Sequence, residues 1–109
     1  NISVSANPGL GVAAFYSQSN LTINGNNGDF FLASITTAQT MSLSNLTAGK
    51  YYFVLIKNTG ASSVLVTFPS GALKPTGMST FNLDAGLAVL VSVIYTGSDY
   101  LLHVSEEIQ

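Results

Sequence analysis

The chain has 109 residues, three Lys plus Arg, five Asp plus Glu, a net charge of −2 and no cysteine. Only 7% of its residues are charged, against about 25% in an ordinary soluble domain, so Ser, Thr, Asn and Gln must keep it in solution unless other copies cover part of its surface. Without cysteine there is no disulfide, zinc-thiolate or thiol nucleophile. Three scattered lysines and no arginine argue against nucleic acid, whose phosphates call for clustered cations.

No apolar run reaches the roughly 18 residues a membrane span requires; the longest, residues 87–94, is interrupted by Ser92 and has the length of a strand. The first residues show no basic stretch leading into an apolar one, so no signal peptide is read there. No polar linker divides the sequence. Residues 1–109 are therefore expected to form a single domain, large enough to bury an apolar core without metal or disulfide.

Residues 8–20 follow no period and are expected to be irregular with one short strand. Leu21-Thr22-Ile23 reads as a strand, followed by the turn cluster Asn24-Gly25-Asn26-Asn27-Gly28-Asp29 and a second strand, Phe30 through Ile35. Residues 40–46 alternate Met41 and Leu43 with Ser42 and Ser44, the pattern of a half-exposed strand. Tyr51-Tyr52-Phe53-Val54-Leu55-Ile56 is apolar at every position, which predicts cover on both faces. The short turn after it predicts a hairpin with residues 64–68, which Pro69-Ser70-Gly71 closes. Residues 80–83, the turn Asp84-Ala85-Gly86 and residues 87–95 repeat the pattern. Thr96-Gly97-Ser98-Asp99 then turns the chain into Tyr100-Leu101-Leu102-His103-Val104, a second hairpin. These elements predict an all-β fold: an antiparallel, jelly-roll-like β-sandwich of about eight to ten short strands.

The inventory for chemistry is thin. Catalysis would have to draw on Asp29, Asp84, Asp99, Glu106, Glu107 and the single His103. Each Asp lies in a turn containing Gly, where bonding to the local backbone is the expected role. Glu106 and Glu107 read as solvated tail charges. His103 is expected on the strand face opposite Leu102 and Val104. With no second His and no Cys, no metal site and no cofactor are expected, and no catalytic residue is assigned. There is no G-x-S-x-G elbow, and the Gly-rich 25–28 stretch lacks the Lys-Ser of a phosphate loop. Asn1-Ile2-Ser3, Asn20-Leu21-Thr22 and Asn45-Leu46-Thr47 fit the N-glycosylation pattern, which a composition this rich in Asn, Ser and Thr produces by chance. One ligand idea has a physical basis: sugars stack on exposed aromatics, and Tyr95, Asp99 and Tyr100 bracket one hairpin tip, where the two tyrosines also make an ordinary cross-strand pair.

From Thr40 onward the order of segments is distinctive. Leu43-Ser44-Asn45-Leu46-Thr47-Ala48-Gly49-Lys50-Tyr51-Tyr52-Phe53 is followed by Ile56-Lys57-Asn58-Thr59-Gly60-Ala61, Val64 to Pro69, Leu83-Asp84-Ala85-Gly86 and Val93-Ile94-Tyr95-Thr96-Gly97-Ser98-Asp99-Tyr100. Over about two-thirds of the chain this resembles a small β module of tailed-bacteriophage fibre, tailspike and head-fibre proteins. Where such modules often carry a Trp, this chain reads Gly71-Ala72-Leu73-Lys74-Pro75. The resemblance implies a non-catalytic virion structural module in an extracellular particle. It also implies self-association, with a homotrimer favoured and other virion proteins as partners; a host surface glycan is the further partner considered for the module. The alternative is a carbohydrate-binding module built on Tyr95, Asp99 and Tyr100.

Overall fold

The structure, a computed structural model, describes residues 15–73 and 78–108. Among the described residues ten strands form: β1 (Tyr16–Gln18), β2 (Thr22–Asn24), β3 (Phe30–Ile35), β4 (Gln39–Thr40), β5 (Ser42–Ser44), β6 (Lys50–Asn58), β7 (Val64–Thr67), β8 (Thr80–Leu83), β9 (Ala88–Tyr95) and β10 (Tyr100–Val104). The expected all-β sandwich of eight to ten short strands is the fold observed. Of the irregular segment expected over 8–20, residues 8–14 lie outside the described residues, and β1 is its short strand.

One layer is a five-stranded sheet in the order β1-β3-β6-β9-β10. The other is built from β2-β5 and β4-β7-β8. These two pieces are continuous through Met41: its N–H donates to Thr67 O at 2.8 Å on one side, and the next N–H, of Ser42, donates to Leu21 O at 3.0 Å on the other. Successive amides of a strand point in opposite directions, so β4 and β5 act as one strand with β7 and β2 as its flanks.

Pairing departs from the antiparallel, jelly-roll-like expectation. Four ladders are parallel, β1–β3, β3–β6, β2–β5 and β4–β7, while β6–β9, β9–β10 and β7–β8 are antiparallel. Through β7 the chain coils, crossing from one layer to the other and laying each strand beside its predecessor in the same layer. It reverses at β8, and β9 and β10 close the five-stranded sheet. The hairpin expected between residues 51–56 and 64–68 does not form. Both edges of β6 are taken by β3 and β9, so β7 can pair only in the opposite layer. The hairpin through residues 96–99 does form, with Tyr100 opposite Tyr95.

Asn58 holds the crossing after β6. Its buried amide nitrogen donates to Ser62 O at 2.8 Å and to Leu83 O at 2.9 Å, and its Oδ1 accepts from Gly60 N at 2.9 Å. Bonding all three partners removes the penalty of burying an amide and ties β6 to the end of β8. Backbone bonds complete the corner, with Asn58 N–H donating to Leu87 O and Gly86 N–H to Asn58 O.

Between the layers lies an apolar core. Sheet residues Phe31, Val54, Ile56, Val91 and Val93 meet Leu21, Ile23, Met41, Val66 and Leu83 from the second layer, all essentially inaccessible to water. The period of two along each strand produces this division, since alternate side chains leave opposite faces of the pleat. Tyr52 shows how a polar atom enters such a core: its ring is buried and its hydroxyl accepts from Thr47 N at 2.7 Å. Gly25, in the 3-10 turn between β2 and β3, packs so closely on the turn before β6 that a Cβ there would collide with Asn45 O.

Candidate functional site

The register places Tyr95 and Tyr100 directly opposite each other at the β9–β10 tip. Their rings stack with centroids 4.9 Å apart and planes at 24°. Tyr95 Oη donates to Gly97 O at 2.9 Å within the turn, and Tyr100 packs against the edge of the core. Asp99 belongs to the turn itself, where its N–H donates to Thr96 Oγ1 at 3.0 Å and its carbonyl accepts from Thr96 N. The three residues picked out by sequence are thus together. The contacts they make are those of a cross-strand pair and its turn.

The remaining ionisable groups are dispersed. Asp29 and Lys50 form an ion pair at 3.0 Å, both side chains partly exposed. The hydrogen bond to Asp29 raises the Lys50 pKa above its usual 10.5, and the charge of Asp29 adds to the effect. Lys50 Nζ also lies 5.7 Å from the centre of the Tyr52 ring. Asp84 Oδ1 accepts from the Ser63 hydroxyl at 2.8 Å. The expectation that these aspartates serve their own turns is corrected for Asp29 and Asp84. The layered fold brings Lys50 and Ser63 within reach from other strands and loops, and their donors take the carboxylates. Glu107 is likewise more than a solvated charge, because its Oε2 accepts from Asp84 N at 3.0 Å and fixes the tail to the β8–β9 turn. Among the described residues no three His, Cys, Asp or Glu side chains lie close enough to hold a metal ion.

His103 is exposed on the face opposite Leu102, as the alternation predicted. That face is the outer side of the five-stranded sheet. The register arranges its side chains in rows across the strands. Phe30, Phe53, Ser92 and His103 form one row; Leu32, Leu55 and Leu90 form the next; Tyr51, Ile94 and Leu101 form a third. Phe15 extends the first row, meeting Phe30 edge-on at 6.0 Å, and Phe30 stacks on Phe53 at 5.4 Å and 9°. Tyr51 is 61% exposed.

Sequence reasoning did not find this surface. Its signal was present in the unbroken apolar run 51–56, read as a strand covered on both faces. The core covers only Tyr52, Val54 and Ile56; in the single chain Tyr51, Phe53 and Leu55 look outward. No helix among the described residues is long and apolar enough to cross a membrane. Comparison with known protein families, with curated proteins and with solved structures finds no match.

Proposed function

We propose that the chain is a non-catalytic structural module that works in an assembly of several copies, as part of a bacteriophage fibre, tailspike or capsid appendage. One observation carries the structural reading: the outer face of the five-stranded sheet is a regular apolar surface that the described residues leave partly exposed. Exposed apolar patches of this extent mark interaction surfaces in soluble proteins. The ionisable side chains tie framework pieces together, as Asp29 does with Lys50 and Glu107 does with the Asp84 turn. The virion assignment is supported by the resemblance of the stretch from Thr40 onward, which supplies β5 to β10 and so most of both layers. A homotrimer is the assembly that resemblance favours, with other virion proteins and a host surface glycan as its further partners.

Sedimentation equilibrium of the purified chain from low to high micromolar concentration tests the assembly. A species of two or more chains is expected. A clean monomer throughout would remove the reading.

A further inference from the structure

We infer that the outer face of the five-stranded sheet is buried against a second copy of this same chain. The inference rests on the structural-module reading above and names the surface and the partner.

Size is the first ground. Five strands of three to nine residues, spaced about 4.8 Å apart and rising about 3.3 Å per residue, give roughly 500 Å² of flat area. Two such faces together bury roughly 1,000 Å², the level a specific interface needs to reach.

Charge decides between partners. On this face the basic side chains among the described strands are Lys57 and His103, near opposite margins, no carboxylate is among them, and the polar remainder is hydroxyls such as Ser34, Tyr51 and Ser92. A partner of ordinary composition has about one residue in four charged and would leave carboxylates or ammonium groups stranded on an apolar surface, at high desolvation cost. A second copy brings no such groups to the middle of the contact. Its matching face is supplied by a chain with 7% charged residues.

A sugar is a poorer occupant. Carbohydrate binds to open ring faces, whereas Phe30 and Phe53 lie nearly parallel and turn their faces toward each other. The opposite side of the molecule completes the case. The second layer presents Thr22, Ser42, Ser44 and Asn82 outward, so an assembly turned inward on the apolar sheet keeps a hydroxyl- and amide-rich surface toward water.

The experiment uses the full chain and two single variants in the middle of the face, Leu55→Asp and Leu90→Asp, with Ser42→Asp on the second layer as the control. Velocity sedimentation reads the mass and far-UV circular dichroism reads the fold. Wild type and Ser42→Asp are expected to share one multi-chain mass. Both leucine variants are expected to be folded monomers, their dissociation constants raised about 100-fold or more by the buried carboxylate. Should an aspartate variant fail to fold, Leu55→Ser and Leu90→Ser supply the same comparison. An assembly that persists in the folded leucine variants overturns this inference and leaves the module reading standing. A monomeric wild type removes both, and a wild-type chain that assembles only after a different protein is added overturns the choice of partner.

Discussion

The two layers of the sandwich share one core yet turn unlike faces outward. Sheet positions that alternate with Phe31, Val54 and Val91 carry Phe30, Leu32, Phe53, Leu55 and Leu90, whereas those that alternate with Ile23, Met41 and Val66 carry Thr22, Ser42 and Thr67, with Leu65 the apolar exception. Alternation of apolar and polar residues is thus kept in the second layer and lost in the sheet. Alternation is what a half-solvated layer needs, and its loss is what a layer covered on both sides permits. The difference teaches that the sheet behaves as an interior element although the described residues provide only one of its covers.

The comparison can be broken first at the shared core. If the layers differ only outwardly, emptying either inner side should cost alike: Phe31→Ala is expected to lose about 4 kcal/mol and Leu83→Ala about 3 kcal/mol of stability, read from denaturant midpoints at constant slope. A loss confined to one layer would show that the two do not unfold as a unit. Next comes the clasp between them. Asn58→Ala leaves Ser62 O, Leu83 O and Gly60 N without their side-chain partner and is expected to cost about 3 kcal/mol. Calorimetry of the melting transition checks it, and an effect below about 1 kcal/mol would mean that water replaces the amide.

Gly25→Ala sharpens the account of how β2 and β5 meet. The added methyl would meet Asn45 O, and about 2 kcal/mol of destabilisation is expected, with Asn26→Ala as a control in the same turn. A smaller loss, about 1 kcal/mol, is expected for Tyr52→Phe, which removes the acceptor of Thr47 N. The least effect belongs to Lys50→Met. Lys50 binds its proton more tightly in the folded chain than in the unfolded one, so the stabilisation from its pair with Asp29 is complete below pH 10.5 and lost as pH rises through the folded value. Thermal midpoints of wild type and Lys50→Met, followed from pH 7 to 12, are expected to differ slightly and to converge at the alkaline end.

Much of the strand inventory can be read from the sequence. Phe30–Ile35, Thr80–Leu83 and Tyr100–Val104 coincide with apolar runs bounded by turn residues, because each is a local matter of side-chain type and turn chemistry. Strand partners are not local. Residues 51–56 and 64–68 look like the arms of a hairpin until one asks which edges of β6 remain free, and that depends on β3 and β9, elements far away in sequence. Asn58 gives no local hint that its amide will meet Leu83. The same holds for the candidate site. Tyr95 and Tyr100 were legible as a pair because one turn joins them. The rows built on Phe53, Leu55 and Leu90 come from three or more strands, and only the register brings them onto one surface.

The coiled path has a consequence for how such a domain can change length. Each circuit between β1 and β7 places one strand in each layer beside the one before it, with both additions in parallel register. Duplicating a whole circuit would therefore lengthen the domain while preserving its cross-section. An insertion of part of a circuit would throw the inward and outward positions of every later strand out of phase. The unit of growth available to this architecture is the circuit, a modular step that an antiparallel meander within a single sheet does not provide.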